Sequence, residues 1–137
     1  LEFNVRFGDP ETEVILPRLK SDLLCLMDKA ISHSLRREDF QWSEEACMTV
    51  VMTSKGYPHA YEKHKRITGE ITDPTIFVYH NNTVLEEGAA YSDGGRVLSV
   101  TTMGDSLSTC REKIYAHIGE IYFEGATYRK DIGIPVE

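Results

Sequence analysis

The chain opens on a strict alternation that points its first element to a single conformation. Leu1, Phe3, Val5 and Phe7 are apolar, and Glu2, Asn4 and Arg6 between them are polar. A period of two is the pattern of a β-strand with one face against a core. The other face then carries a carboxylate, an amide and a guanidinium, with roughly 6.6 Å between successive Cα atoms on that face. Glu and Asn are weak strand formers, so their presence here suggests a task other than strand propensity. A hard cation such as Mg2+ takes carboxylate and amide oxygens and keeps phosphate oxygens as further ligands. A guanidinium two residues on can fork onto a phosphate or a carboxylate. Glu2-x-Asn4-x-Arg6 therefore reads as one edge of a magnesium–phosphate site, set against the plainer reading of a solvated strand face.

Gly8-Asp9-Pro10 predicts a turn into a helix. Asp9 is a good N-cap, and Pro10 at the first helical position loses nothing by lacking an N–H. Glu11 and Glu13 suit the positive end of the helix dipole. Pro17 ends or kinks these first turns. A second helix is expected with Leu19, Leu23, Leu26, Met27, Ala30 and Ile31 as its apolar stripe, Lys20, Asp22, Asp28 and Lys29 on its wet side, and Cys25 as packing filler. It frays near Ser32-His33-Ser34, and Phe40 and Trp42 anchor the polar stretch that follows.

The remainder reads as short strands and one more helix. Ala46 to Thr53 is a buried strand, and Ser54-Lys55-Gly56-Tyr57-Pro58 turns the chain. Tyr61 to Ile67 is a helical turn or a loop, closed by Gly69. Thr75 to His80 and Thr83-Val84-Leu85 are strands on either side of an Asn81-Asn82 turn. Asp93-Gly94-Gly95 is a hairpin-type turn into a strand from Arg96 to Met103. Asp105 or Ser106 caps a last helix with Leu107, Cys110, Ile114, Ile118, Ile121 and Tyr122 as its core stripe, ended near Gly125. Ala126 to Arg129 is a last short strand. The expected fold class is α+β: a small, mainly antiparallel sheet with helices packed on it, and a domain boundary between residues 38 and 39.

Bulk properties narrow the partners. At 137 residues the chain is one domain, or one plus part of another. A net charge of −7 argues against nucleic acid and membrane surfaces as partners. There is no run of 18 apolar residues to span a bilayer, and no signal peptide is visible in this sequence. Cys25, Cys47 and Cys110 are scattered and odd in number, the pattern of reduced, buried thiols in a cytoplasmic protein. The five histidines form no H-x-H or H-E-x-x-H pattern, so a zinc site is not expected. A chain that starts inside a predicted strand, without Met, is expected to be the C-terminal part of something longer.

Arg6-Phe7-Gly8-Asp9-Pro10-Glu11-Thr12-Glu13-Val14 resembles the signature of the glycinamide ribonucleotide synthetase (phosphoribosylamine–glycine ligase) family, which are ATP-grasp enzymes of early purine synthesis. Leu1-Glu2-Phe3-Asn4-Val5 is similar to the last metal-binding strand of the ATP-grasp domain. Further matches follow in family order: Leu16 to Leu23, Ser54-Lys55-Gly56-Tyr57-Pro58, Gly94-Gly95-Arg96-Val97-Leu98, and Tyr128-Arg129-Lys130-Asp131-Ile132-Gly133. Tyr79-His80-Asn81-Asn82-Thr83 departs from the His-Ala-Gly-Thr run expected there, which leaves the metal residues untouched.

The resemblance implies residues 1–38 as the end of an ATP-grasp domain and 39–137 as the C-terminal domain, with the rest of the enzyme upstream. It implies ATP, glycine and phosphoribosylamine as substrates and Mg2+ or Mn2+ as cofactor, held by Glu2 and Asn4. Arg6 is suited to the glycine carboxylate or the transferred phosphoryl group. Arg96 leaves a Gly-Gly turn, where a backbone can approach a ligand closely; by itself it reads as an Arg tolerated at a strand start. The resemblance implies that it meets the phosphate of phosphoribosylamine, with Lys55 as a second cation. Asp9 has two readings, the N-cap and a holder of the substrate amine. Arg129 and Asp131 are expected to pair with each other or with the domain body. Two further readings remain: another ATP-grasp carboxylate–amine ligase, and a non-catalytic binding or oligomerisation module.

Overall fold

A computed structural model describes residues 4–134. Helix α1 (Thr12–Ile15) runs into a 3-10 turn over Leu16–Arg18, and α2 (Leu23–Ile31) follows. The strands are β1 (Ala46–Ser54), β2 (Thr68–Gly69), β3 (Ile76–His80), β4 (Thr83–Glu86), β5 (Ala89–Ser92) and β6 (Arg96–Gly104). Helix α3 (Leu107–His117) precedes β7 (Ile121–Tyr122) and β8 (Ala126–Thr127). The main sheet is antiparallel in the order β3-β6-β1-β8, with small two-stranded pairs β2-β7 and β4-β5. The class is α+β, as expected.

β1 shows why the sheet takes this form. Met48, Val50, Met52 and Ser54 are buried while Thr49, Val51 and Thr53 are half-buried, the alternation of a strand with unequal faces. Opposite residues in the ladder share a face, so Leu98, Val100 and Thr102 of β6 and Ile76 of β3 join the Met48 side. That face receives α3 through Cys110 and Ile114, and Ile118 and Phe123 close the same core. Ser106 caps α3 by accepting from the Thr109 N–H at 3.1 Å. The second face carries Thr49, Thr53, Phe77, Tyr79, Thr101 and Arg96. α1 packs over β1 and β6, and Thr101, wholly buried, donates to Thr49 Oγ1 at 2.7 Å. β6 is therefore buried along most of its length.

Several expectations are corrected. Leu1–Phe3, and with them Glu2, lie outside the described residues; Asn4–Phe7 form no strand. An extended segment holds as a strand only when a neighbour takes its backbone N–H and C=O groups, and no sheet order includes this one. Asp9 is not the N-cap of α1, and Pro10 is not its first residue: Glu11 occupies the N-cap position. The Gly8 N–H donates to Glu11 Oε1 at 3.1 Å, the Gly8 carbonyl accepts from Thr12 N at 3.1 Å, and the Asp9 carboxylate is drawn away to Arg96.

On α2 only Leu26 is buried; Leu24, Met27, Ile31 and Cys25 are exposed, so Cys25 fills no core. Asp22 serves as the α2 N-cap, accepting from Cys25 N at 2.9 Å. The helix lies beside residues 39–43, tied by Lys20 N to Gln41 O at 2.8 Å, Ser21 Oγ to Asp39 O at 2.7 Å and a Lys29–Asp39 ion pair. One nine-residue helix against one short segment buries a single line of side chains. Asp93-Gly94-Gly95 closes no hairpin, because β5 pairs with β4 while β6 pairs with β1 and β3. The last helix ends at His117 rather than near Gly125. A 3-10 turn over Ile118–Glu120 redirects the chain, and Tyr122, expected in the helix stripe, lies in β7 and is exposed.

Candidate functional site

Arg96 sits where the sheet is irregular. In the β1–β6 ladder Met52 faces Leu98 but Thr53 faces Arg96, so β6 carries one extra residue, Val97. Such a bulge re-aims the side chains beside it. The backbone before Arg96 is held closely: Ser54 N donates to the Gly95 carbonyl at 2.8 Å and the buried Ser54 Oγ to the Gly94 carbonyl at 2.9 Å. Asn82 Nδ2 donates to the Arg96 carbonyl at 2.8 Å. Tyr57 lies against Gly95 so closely that a Cβ there would overlap its ring, and Tyr57 in turn leans on Tyr61, ring centroids 6.1 Å apart.

From this base the guanidinium reaches the N-terminal segment. Arg96 Nη1 donates to the Asp9 carbonyl at 2.9 Å, and Nη2 lies 3.2 Å from Asp9 Oδ2. Two residues singled out separately in the sequence, 87 positions apart, are thus in direct contact. Their side chains are 37% and 41% exposed, so the pair contributes only about 0–1 kcal/mol to stability. It stands between two clefts on the second face of the sheet. One, of about 650 Å³, is lined by Phe7, Gly8, Asp9, Glu13, Phe77 and Tyr79 among others. The other, of about 660 Å³, is lined by Thr49, Thr53, Tyr57, Arg96, Tyr128 and Arg129 among others.

The first cleft has apolar walls with a few polar groups, the usual composition of a small-molecule site. Phe77 and Tyr79 stack at 6.3 Å, and burial pushes the Tyr79 phenol up, with the charges of Cys47 and Glu13 adding to the shift. Among the described residues, Glu13 Oε2 is buried with no hydrogen-bond partner. A buried acceptor left without a donor costs about 1–3 kcal/mol.

The other sequence candidates fall elsewhere. Asn4 and Arg6 are exposed; Arg6 Nη1 donates to the adjacent Phe7 carbonyl at 2.8 Å. With no strand over Asn4–Phe7, the period of two does not set how these two side chains are placed. Lys55 lines a third cleft, of about 680 Å³, with Gly56, Tyr61, Glu62, Lys65 and Glu124. There Lys65 lies 2.7 Å from Glu62 and 3.4 Å from Glu124; the Lys65 bond holds the Glu62 carboxyl below its usual range. The structure does not bring Lys55 into the cleft that Arg96 lines. Arg129 pairs with Asp131 at 2.9 and 2.5 Å, one of the two expected partnerships. Asn82, Glu13 and Phe77 escaped the sequence reading. Asn82 sits in a predicted turn and the other two in regular periodic runs, where residue type alone carries no sign of a cleft. Among the described residues no three His, Cys, Asp or Glu side chains gather to hold a metal.

The comparisons with known proteins agree with this architecture. The model of the family "Phosphoribosylglycinamide synthetase, C domain" matches residues 47–135. The chain belongs to that family. It is 42% identical over 132 residues to a phosphoribosylamine–glycine ligase of Caldanaerobacter subterraneus, covering 96% of this chain and 32% of that protein. It is 45% identical over 136 residues to the trifunctional purine biosynthetic protein adenosine-3 of Gallus gallus, covering 97% of this chain and 14% of that protein. The crystal structure of a phosphoribosylamine–glycine ligase from Thermotoga maritima superposes with a TM-score of 0.80 at 32% identity, over 96% of this chain and 32% of that one. The chain thus spans about a third of the two ligases and a smaller share of the trifunctional protein.

Proposed function

We propose that this chain is the C-terminal part of an ATP-grasp ligase that joins glycine to 5-phosphoribosylamine in purine biosynthesis, splitting ATP to ADP and phosphate. On this reading residues 1–38 close the ATP-grasp domain, 39–137 form the C-terminal domain, the remaining ATP-binding residues lie upstream, and the enzyme works in the cytoplasm. The observation that carries the reading is the Asp9–Arg96 contact, which joins the signature segment to the Gly-Gly-Arg strand beside two open clefts. Relatives named as phosphoribosylamine–glycine ligases support it.

The reaction is acyl activation followed by amine capture. A glycine carboxylate oxygen attacks the γ-phosphorus of ATP, ADP leaves, and the amine of phosphoribosylamine attacks the acyl carbon and expels phosphate. Mg2+ or Mn2+, when bound, supplies neutralisation of the β- and γ-phosphate oxygens. Asn4 is exposed and offers the amide oxygen a hard cation accepts. Glu2, outside the described residues, is proposed as its carboxylate companion, the other ligands coming from the triphosphate and the upstream enzyme.

Arg6 has five N–H donors. With one nitrogen engaged to Phe7 and no further side-chain bond of Arg6 among the described residues, others can clamp the glycine carboxylate or the transferred phosphoryl group. Arg96 is proposed for the ribose 5-phosphate, with Lys55 as an outlying second cation, and Asp9 for the substrate amine. The test is kinetic. In the intact ligase Arg96→Ala raises KM for phosphoribosylamine, and an unchanged KM rejects the phosphate role; Glu2→Ala lowers kcat with the unfolding midpoint unchanged. Absence of glycine-dependent ADP release from the intact enzyme rejects the ligase reading itself.

A further inference from the structure

We infer that Arg96 is a positioning residue for the segment that carries Asn4 and Arg6, acting through Asp9. The two sides of the contact differ in how firmly they are held. On the sheet side Arg96 is locked by the bulge at Val97, by Asn82 on its carbonyl, and by the Ser54 bonds and the Tyr57 ring on the preceding glycines. On the other side, Asn4–Phe7 belong to no helix or strand, and the only side-chain bond of Arg6 among the described residues goes to its own neighbour. The segment takes its bearing at Asp9, three residues from Arg6.

The grip is of a kind that orients as well as attracts. One guanidinium nitrogen takes the Asp9 backbone carbonyl and the other its carboxylate, which fixes both the height and the rotation of that residue over the sheet. A lysine offers a point charge and does neither. Asp9 in turn forgoes the N-cap position that local chemistry favours, and its carboxylate faces Arg96 instead. The remaining N–H groups of Arg96 stay available to a substrate anion. A phosphate arriving there and the placement of Arg6 are then linked through one side chain. This rests on the ligase reading for its catalytic meaning, while the grip itself can be tested without it.

The experiment is a double-mutant cycle in the intact ligase with Asp9→Asn, Arg96→Gln and both together, and Arg96→Lys beside them. Positioning through Asp9 lowers kcat on the order of tenfold in each single variant, as small misplacements of catalytic groups do. It also predicts that adding Asp9→Asn to Arg96→Gln changes kcat by less than about twofold, because the two residues act as one unit. Arg96→Lys does not restore kcat. Losses that multiply overturn the inference and leave Asp9 with only the substrate-amine role proposed above; a KM rise confined to the Arg96 variants, with kcat unchanged in Asp9→Asn, overturns it and leaves the phosphate role standing. A second readout needs no ligase activity: amide hydrogen exchange in this chain at Thr12 and Ile15, whose N–H groups bond to Gly8 and Glu11 carbonyls. Exchange several-fold faster in both single variants supports the grip, and unchanged rates overturn it even where the ligase reading has failed.

Discussion

Gly95→Ala is the sharpest test of how the Arg96 strand is seated. A Cβ at Gly95 would overlap Tyr57 Cδ2, lie 2.7 Å from Tyr57 Cε2 and 3.1 Å from Tyr61 Cε1. The φ of Gly95 lies outside the left-handed region, so the cost comes from contact, not from backbone strain. Both carbonyls of the Gly94-Gly95 pair are tied to Ser54, which stops the backbone from sliding away, so the aromatic rings have to move. Overpacking of this kind costs typically 1–3 kcal/mol. Taking about 2 kcal/mol, a chain of this length loses roughly 6–10 °C in Tm. The assay is urea unfolding followed by Trp42 fluorescence, with thermal melts beside it. Gly119→Ala is the control: nothing lies within 4 Å of a Cβ there, and the change stays within about 0.5 kcal/mol. Tyr57→Ala removes the two tightest contacts and leaves only Tyr61 to shift by a few tenths of an ångström, so in that background Gly95→Ala costs less than half as much. If Gly95→Ala leaves the midpoint unchanged, or costs the same with and without the Tyr57 ring, the close packing is not what holds the strand.

Three further outcomes follow from the core, the acid limb and the thiols. Phe123, wholly buried in the core cluster, destabilises by about 3–5 kcal/mol when cut to Ala; a loss below 1 kcal/mol by urea titration contradicts its place in the core. Lys29, then the Arg36 backbone N–H, hold the Asp39 carboxyl below its usual range. The unfolded chain therefore binds the proton first: the Asp39 contribution is full above about pH 4 and disappears as pH falls through the lower folded pKa. Asp39→Asn and wild type should then differ in stability near neutrality and converge in acid, and parallel curves reject the assignment. All three thiols are raised, Cys25 by the Asp22 carboxylate beside it and Cys47, to about 11, and Cys110 by burial, so exposure decides, and only Cys25 is exposed. A disulfide reagent at pH 8 should modify Cys25 alone in the folded protein and all three thiols in urea; rapid reaction of Cys47 under native conditions would refute that burial.

What the sequence determined by itself is the set of locally encoded elements. Ala46 to Ser54 and Arg96 to Gly104 are runs of apolar and β-branched residues that pair as long strands, and Ser106 caps α3 through its own hydroxyl. The signature Arg-Phe-Gly-Asp-Pro-Glu and the Gly-Gly-Arg turn were visible as motifs; residue type gave Asp9 as a cap and Arg96 as an Arg tolerated at a strand start, and the family resemblance made Arg96 a phosphate candidate. Tertiary structure decided which partners these elements meet. Asp-Gly-Gly has hairpin chemistry, yet β6 is taken by β1 and β3, because a ladder of eight residue pairs against β1 buries more than the four-residue β5 could. Asp9 has cap chemistry, yet Arg96 claims its carboxylate from 87 residues away. The alternation of Leu1 to Phe7 specifies two faces but supplies no neighbour, and over Asn4–Phe7 a strand needs one. Periodicity reports what a segment can bury; only the packed chain reports what is there to bury it against.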